Sequence, residues 1–300
     1  MKDGPKISVI IASYNRKEFL LDAIKSALNQ TLPKDKYEII VVKNYNDDKI
    51  DNFINKNDMI SIFSDNKSLS LKLYEALKIA KGDVISFLDD DDLFFNNKLE
   101  YVYNLFNNKA LVYYHNKFIM INKNGDIIKR KAKAPDYNMS SISIKKDVIN
   151  MDYLRIIKRA VDTFMYLCAL ESGKKIIVNK MELTYYRYHS SASNTISINK
   201  EEFNYNKIKK IDILMDSLYI FRNLFKSKKS ISYIKWSITN YEIVKCPYDN
   251  SIKVENLINY ILHFHDGIRH NIMFIGIYIL ILIYPGFFSV YIQRKIFEIQ

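Results

Sequence analysis

Four consecutive aspartates, residues 89–92, have the clearest chemical potential in this chain. They directly follow an apolar run, residues 84–88, that is typical of a buried strand. Adjacent carboxylates repel one another, so the cluster is costly without a counter-charge. Mg²⁺ or Mn²⁺ held by one or two carboxylates supplies that charge and keeps coordination positions open for diphosphate oxygens. Asp91 is the preferred metal ligand. The alternatives are a solvated acidic loop and, for Asp92, the N-cap of a following helix.

The elements that must position these carboxylates alternate between strand and helix. Apolar, β-branched runs predict buried strands at residues 7–13, 37–42, 59–63 and 84–88, and helical spacing recurs at 19–28 and 69–80, where Gly82 is predicted to be the C-cap. This order predicts an α/β fold with a mostly parallel sheet flanked by helices. Ligands of such sheets bind beyond the carboxyl ends of the strands, where loops 14–17, 43–48 and 89–92 should meet.

The second half of the chain is less regular. Residues 111–121 and 126–131 flank a Gly-containing turn and predict a hairpin. A strand is expected at 140–144, a helix at 161–171 ending at Gly173, and extended segments at 175–179 and 182–189. From about residue 201 the spacing becomes helical, which predicts a C-terminal α-helical appendage.

Four segments, in this order and spacing, resemble a family 2 glycosyltransferase of the GT-A fold. They read ISVIIASYNR at 7–16, YEIIVV at 37–42, AKGDVISFLDDDD at 80–92, and VDTFMYLCALESG with YYRYH within 161–189. The resemblance covers about the first 195 residues. It implies a GT-A type, Rossmann-like domain and a metal-dependent, hexosyltransferase-like enzyme. Such an enzyme moves a sugar from a nucleotide diphosphate donor to a hydroxyl acceptor with inversion.

The resemblance also implies roles for individual residues. In the family the acidic motif binds metal and donor diphosphate, so Asp91 and Asp89 are expected metal ligands, and Asp90 is expected at the donor ribose or sugar. His189 is the third expected metal ligand, although a structural histidine is the alternative. The residues expected to bind the donor are Ala12, Ser13, Tyr14, Arg16, Asn44, Lys72, Asp89, Asp90 and Arg187.

Asp162 matches the family's catalytic base, an acidic residue at the head of a helix. A hydroxyl nucleophile needs such a base to accept its proton. The alternative is that Asp162 is the N-cap of the helix, a frequent role of Asp. The residue before it, often Glu in the family, is Val161 here.

The loop after the second strand departs from the family pattern. Two aspartates are usual there, and the second reads the base; this chain has Lys43 and Asn44. An Asn side chain still offers one acceptor and one donor group to a uracil-like edge. A UDP-sugar is therefore the first expectation for the donor, with guanosine and thymidine donors left open.

Composition limits the compartment and the partners. The 300 residues carry a net charge of +12, which suits an anionic partner, and they include only two cysteines, which favours a reduced compartment. No secretory signal is recognised, so a cytoplasmic location is expected. The uncharged run 272–292 predicts a membrane-associating helix, buried helices being the alternative. The predicted domains are a catalytic domain at 1–200, a helical appendage at 201–266 and an apolar, membrane-associating segment at 267–300. The expected acceptor is a saccharide or a lipid-linked saccharide.

Three other interpretations are weighed against this one. A nucleotidyltransferase on a similar scaffold usually needs a Gly-rich phosphate loop near the first strand, and SYNRKEF contains no Gly. A basic nucleic-acid-binding protein is disfavoured because the cations are scattered and no binding module is recognised, so no nucleic-acid partner is expected. An inactive relative that binds donor without transferring it stays open, because the usual Asp pair is replaced.

Overall fold

The computed structural model describes residues 6–128, 138–189 and 200–249, together with positions 255, 258, 275, 276 and 279. The chain divides into two compact units, Met1–Ala192 and Ser193–Gln300. The first contains the sheet and all the predicted site residues. The second contains two long helices. Each unit is described by itself.

An eight-stranded mixed sheet forms the centre of the first unit. Its strands are β1 (Ile7–Ala12), β2 (Tyr37–Lys43), β3 (Ile60–Phe63), β4 (Val84–Asp89), β5 (Leu93–Phe94), β6 (Leu111–Ile121), β7 (Ile142–Lys145) and β8 (Lys175–Arg187). Their spatial order is β3-β2-β1-β4-β7-β6-β8-β5. Strands β3, β2, β1 and β4 are parallel, as predicted, whereas β7 runs antiparallel to both β4 and β6. The α/β architecture is therefore confirmed, and the sheet is parallel only in part.

The parallel strands form because their side chains are apolar on both faces. In β1, Ile7, Val9, Ile10 and Ile11 are all no more than 1% exposed, as expected for a strand covered by helices on both sides. The register places Ala12, the last residue of β1, beside Val42 of β2 on one side and beside Asp89 of β4 on the other. The carboxyl ends of these three strands therefore lie level at one edge of the sheet.

Six helices accompany the sheet in the described part of this unit. They are α1 (Leu20–Leu28), α2 (Asp48–Lys56), α3 (Leu69–Ile79), α4 (Lys98–Phe106), α5 (Met151–Ile156) and α6 (Val161–Glu171). The sequence did not predict α2, because it is polar apart from a narrow stripe. Asp47 begins this helix by accepting a hydrogen bond from the amide of Ile50, at 3.2 Å, and Ile50 and Ile54 are its buried residues.

Gly82 is not the C-cap of α3, so that prediction was wrong. The cap is Ala80, whose amide bonds to the carbonyl of Ala76, and Gly82 lies in the connection to β4. A Cβ atom on Gly82 would lie 2.4 Å from the amide nitrogen of Ser8 and 2.7 Å from the carbonyl carbon of Ile7. Glycine is needed here because the connection passes directly against the backbone of β1.

Gly82→Ala is therefore expected to lower the free energy of unfolding by about 3 kcal/mol, the upper part of the usual cost of overpacking. The contacted atoms are strand backbone and cannot move aside as a flexible side chain would. Denaturant unfolding followed by circular dichroism measures the change. Lys81→Ala is the matched control, since Lys81 is exposed. Equal stability of the Gly82 variant and the wild type would show that the close approach does not exist.

The predicted hairpin turn is present after β6. The amide of Asn122 donates to the carbonyl of Asp126, at 2.9 Å, and Gly125 has a φ of 94°, which favours glycine. Ile127 then pairs with Ile121 in an antiparallel bridge. Residues 129–131, the predicted end of the hairpin, lie outside the described residues. The two extended segments predicted at 175–179 and 182–189 form the single long strand β8.

The second unit contains α7 (Lys200–Leu224) and α8 (Lys228–Asp249), which pack against each other. Lys245 of α8 donates to a carboxylate oxygen of Asp212 in α7, at 2.7 Å. Helical structure in this part of the chain agrees with the predicted appendage. Among the described residues, no helix has both the length and the apolar character needed to cross a membrane. The predicted membrane-associating run, 272–292, lies outside the described residues apart from Ile275, Gly276 and Ile279.

Candidate active site

The predicted polar loops meet at the carboxyl edge of β1, β2 and β4. Asn15, in the loop after β1, has a left-handed backbone with a φ of 54°. Its amide donates to the side-chain oxygen of Asn44, at 2.8 Å, and the Asn44 amide group donates back to Asn15 Oδ1, at 2.7 Å. The loops after β1 and β2 are therefore joined directly. The acidic loop after β4 contacts the first of them through the residues described next.

Asp90 is held by the loop after β1. Its carboxylate accepts a hydrogen bond from the hydroxyl of Ser13, at 2.6 Å, and forms an ion pair with Arg16. Tyr45 fixes this loop, because its hydroxyl donates to the carbonyl of Arg16 at 2.7 Å. Ser13 is fully buried, and its hydroxyl also lies 2.9 Å from that of Tyr45. Burial raises the pKa of Asp90, although Arg16 and Ser13 oppose that rise.

Asp91 lies between two nitrogen groups. Its Oδ2 atom is 2.8 Å from Nη1 of Arg16 and 2.9 Å from Nε2 of His189. The His189 ring packs on Phe19, with ring centroids 5.0 Å apart. The residue predicted as the main metal ligand and the histidine predicted to assist it are therefore in direct contact, although 98 positions separate them.

Asp92 has a different environment from the other three aspartates. It is fully buried, accepts a hydrogen bond from the hydroxyl of Ser140 at 2.6 Å, and accepts another from the amide of Arg187 at 2.9 Å. The following helix begins at Lys98 with Asn97 as its N-cap, so the interpretation of Asp92 as an N-cap was wrong. Burial and the neighbouring Asp91 raise the pKa of Asp92 to about 7. Asp92 therefore fixes the acidic loop to Ser140 and to the backbone of Arg187.

Lys98 continues this buried network and was missed by the sequence reasoning. It is fully buried, and its ammonium donates to the carbonyl of Ser140 and, at 3.0 Å, to the hydroxyl of Thr184. Burial lowers the pKa of Lys98 well below its ordinary value. The sequence contained a signal for the burial of Lys98. Lys98 lies four residues before Val102 and eight before Phe106, so it shares the buried face of α4 with them.

Lys98→Met is expected to destabilise the fold by about 2 kcal/mol, because it removes a charged donor from two buried acceptors, the carbonyl of Ser140 and the hydroxyl of Thr184. The loss should appear as a lower denaturant midpoint with an unchanged slope. Lys109→Met, on an exposed position, is the matched control and should change stability by no more than about 0.5 kcal/mol. Identical midpoints for the Lys98 and Lys109 variants would contradict the role of this network.

Asp89 and Arg187 complete the surroundings of the acidic loop. The amide of Asp89 donates to the hydroxyl of Ser140, at 2.9 Å. Burial and repulsion by the other three aspartates raise the pKa of Asp89 well above its ordinary value. Arg187 is buried, and its guanidinium donates to the carbonyls of Asp91, at 2.9 Å, and Lys123, at 2.7 Å. In this structure Arg187 thus braces the loop, in addition to its predicted contact with phosphate.

Tyr14, in the loop after β1, and Lys72, in α3, lie together. The ammonium of Lys72 is 4.2 Å from the centroid of the Tyr14 ring. Burial lowers the pKa of Lys72 to about 8, although Asp90 and Glu75 oppose that change. A half-buried ring and a cation near Asp90 are groups that a nucleotide with phosphates can use.

The loop after β2 uses its unusual lysine internally. Lys43 is buried, pairs with Asp51 of α2 at 2.7 Å, and donates to the carbonyl of Tyr45 at 2.6 Å. Its charge is thus balanced by a helix that the sequence reasoning did not predict. Asn44 is half-buried at the surface of this loop. Its role in reading the base stays a prediction.

Asp162 lies in the first turn of α6 and is not its N-cap, so that alternative was wrong. The cap position is Ala160, which has a left-handed backbone with a φ of 53°. Asp162 Oδ1 accepts a hydrogen bond from the amide of Thr163, at 2.7 Å, and burial raises its pKa. A carboxylate with a raised pKa is better suited to accept a proton near neutral pH.

Helix α3 contacts both the segment before Asp162 and Tyr14. The hydroxyl of Ser70 donates to the carbonyl of Ile157, at 2.6 Å, in a fully buried contact. Lys72, two residues further along α3, lies over Tyr14. The chain that leads to Asp162 is therefore fixed to the same helix that lines the predicted donor site.

A divalent cation fits the chemistry of this site. Asp91 Oδ2 and His189 Nε2 are hydrogen-bonded at 2.9 Å, so a carboxylate oxygen and an imidazole nitrogen, both ligand types for divalent ions, lie side by side. Among the described residues, no three or more His, Cys, Asp or Glu side chains form a group that could hold a metal ion as a complete protein cage. A metal that takes one or two protein ligands and completes its shell with substrate phosphates needs no such cage.

Comparison with known proteins assigns the chain to a family. The family described as glycosyl transferase family 2 matches residues 8–164, which include the first three loops of the site and Asp162. An uncharacterized glycosyltransferase of Haemophilus influenzae is 28% identical over 246 residues, covering 76% of this chain and 93% of that protein. The poly(ribitol-phosphate) beta-N-acetylglucosaminyltransferase TarP of Staphylococcus aureus is 28% identical over 259 residues, covering 82% of this chain and 73% of TarP.

A solved structure shares the fold. The crystal structure of S. aureus TarS 1–349 in complex with UDP-GlcNAc superposes with a TM-score of 0.55 at 15% identity, covering 86% of this chain and 79% of that one. At this identity the likeness concerns the fold alone. Two further relatives, from Rickettsia species, are matched over only 18% and 36% of their length.

Proposed function

Because the chain belongs to glycosyl transferase family 2, we propose that it transfers a sugar from a nucleoside diphosphate sugar to a hydroxyl acceptor. The observation that carries this proposal is the cluster at the edge of the sheet. There the carboxylate of Asp91 contacts both Arg16 and His189, next to the pair formed by Tyr14 and Lys72. The cluster combines groups for a cation, for phosphates and for a base.

The donor is proposed to bind across the acidic loop. Tyr14 offers a ring face for the base, with its hydroxyl left to water. Asn44 offers a donor and an acceptor to the edge of the base, and Asp90 is proposed to contact the ribose or sugar. The structure with UDP-GlcNAc, from a protein of the same fold, supports uridine as the first base to test.

The diphosphate is proposed to lie between the cations of the site. Arg16 and Lys72 lie near Asp90 and can bind phosphate oxygens. Asp91, with His189, would hold Mn²⁺ or Mg²⁺. When bound, such an ion offsets the negative charge that develops on the leaving diphosphate. The buried network of Asp92, Ser140 and Lys98 keeps the loop in position.

Asp162 is proposed to be the base that accepts the proton of the acceptor hydroxyl. The oxygen then attacks the anomeric carbon as the bond to the diphosphate breaks, and the diphosphate leaves with the bonding electrons. A single displacement of this kind inverts the anomeric configuration and needs no covalent bond between sugar and enzyme. The donor and product anomers, compared by proton NMR, should therefore be opposite.

The acceptor is proposed to be a saccharide, a lipid-linked saccharide or a polyol chain. TarP, the S. aureus relative, is named for a poly(ribitol-phosphate) acceptor. The net charge of +12 of this chain suits a polymer with phosphodiester groups. Poly(ribitol phosphate) is therefore the first acceptor to test. A cytoplasmic location and membrane association through residues 267–300 stay predictions.

A donor screen tests the function. The full chain is incubated with UDP-, GDP- and dTDP-sugars, Mn²⁺ or Mg²⁺ and a panel of hydroxyl acceptors, and the released nucleotide product is measured. Release of nucleoside diphosphate with transfer of sugar is the expected result. Release of pyrophosphate would indicate a nucleotidyltransferase instead, and donor binding without release would indicate an inactive relative.

A further inference from the structure

Arg16 occupies the position where a counter-charge for the acidic loop is needed. One nitrogen of its guanidinium pairs with Asp90, and Nη1 lies 2.8 Å from Asp91 Oδ2. The side chain is 27% exposed, so water reaches it. The planar guanidinium presents several donors in a fixed geometry, which lets it bridge two carboxylates.

The same oxygen of Asp91 is the one that faces His189. Asp91 Oδ2 is hydrogen-bonded to His189 Nε2 at 2.9 Å, and these two atoms are the proposed ligands of the divalent cation. A cation bonded to this oxygen and a guanidinium 2.8 Å from it would repel each other strongly in a half-buried site. Arg16 and a divalent cation therefore compete for a single atom.

We propose that Arg16 is the resident counter-ion of the acidic loop, and that a divalent cation displaces it from Asp91. This inference rests on the proposed function, because the released guanidinium then has the donor diphosphate as its new partner. Guanidinium groups bind phosphate oxygens through paired, charge-assisted hydrogen bonds. In the donor-free enzyme Arg16 bridges the two carboxylates and weakens metal binding. With donor present, Arg16 pairs with the donor diphosphate, and metal binding at Asp91 strengthens.

The two ligands are consequently coupled. Because coupling between binding sites is reciprocal, nucleoside diphosphate must raise the affinity for the cation by the same factor by which the cation raises affinity for the nucleoside diphosphate. Arg16 supplies part of this coupling by exchanging one anionic partner for another. Its neighbour Lys17 does not, because its ammonium pairs with Asp47, at 3.3 Å, away from the acidic loop.

Arg16→Gln tests the exchange. The dissociation constant for Mn²⁺ is measured by isothermal titration calorimetry, first with the protein alone and then with UDP present. Without nucleotide, the variant should bind Mn²⁺ roughly tenfold more tightly than the wild type, within the usual range of coupling between sites. The strengthening of Mn²⁺ binding by UDP should be smaller in the variant. Lys17→Gln should match the wild type in both titrations.

The outcome is decisive in either direction. Equal or weaker Mn²⁺ binding by Arg16→Gln would overturn the exchange, even in an enzyme that transfers sugar normally. Absence of both sugar transfer and UDP binding in the wild type would instead overturn the proposed function.

Arg16→Lys is the second variant, to be used in the same titrations if Arg16→Gln does not fold. A single ammonium cannot bridge Asp90 and Asp91 as a guanidinium does, so this variant should also bind Mn²⁺ more tightly than the wild type, and unchanged affinity would again overturn the exchange.

Discussion

Asp91→Asn is expected to lower kcat/KM for nucleoside diphosphate release roughly thousandfold, the loss typical when charge stabilisation of a leaving group is removed. The substitution keeps the size of the side chain and removes its negative charge. In the structure that charge faces both Arg16 and His189 through one oxygen. The carboxylate is therefore the shared contact of the candidate cation site and the candidate phosphate site. Initial rates at saturating Mn²⁺ with varied donor measure the effect.

Asp22→Asn is the matched control for this prediction. Asp22 is an exposed residue in the first turn of α1, so its variant should keep the wild-type rate. Circular dichroism and the unfolding midpoint of the Asp91 variant check that the fold is kept. A folded Asp91→Asn enzyme with more than a tenth of wild-type kcat/KM would contradict the assignment of Asp91.

Asp162→Asn is expected to lower kcat by roughly 10²- to 10⁴-fold, the usual contribution of a positioned general base. Donor KM and Mn²⁺ affinity should change little, because the residue is proposed to act on the acceptor. This separation of kcat from KM distinguishes Asp162 from Asp91. Steady-state kinetics at several fixed acceptor concentrations measure both parameters.

The pH profile gives a second test of the base. Burial raises the pKa of Asp162, and a base acts only when unprotonated. Activity should therefore fall, as pH decreases, at a higher pH than an exposed Asp would give. The residual activity of Asp162→Asn should not show this fall, because the variant has no carboxyl group at position 162 to protonate. Asp152→Asn, at an exposed position of α5, is the control. An unchanged kcat in the Asp162 variant would exclude it as the base.

The parallel half of the fold could be predicted because its signals are local. Strands β1, β2 and β4 are continuous apolar runs, and each ends where polar residues begin. The edge-of-sheet rule then brings the loops together without any knowledge of distant contacts. The antiparallel strand β7 could not be oriented in this way, because four residues contain no signal for the direction in which they pair.

The supporting contacts of the site were beyond sequence reasoning for a different reason. The hydrogen bond from Ser140 to Asp92 joins residues 48 positions apart, and that from Lys98 to Thr184 joins residues 86 apart. Nothing in the local composition pairs these residues. Arg16 was predicted as a phosphate ligand from its place in the loop, but its contact with Asp91 depends on how the loops fold together.

A crystal structure of the full chain with UDP and Mn²⁺, with the metal located by its anomalous signal, tests the central claim most directly. We expect the Mn²⁺ peak about 2.1–2.2 Å from a carboxylate oxygen of Asp91, the bond length usual for such an ion. The UDP diphosphate should complete its coordination shell, and Asp162 should face the open side of the diphosphate. Binding of UDP away from the edge of β1, β2 and β4, or a metal peak without contact to Asp91, would contradict the account.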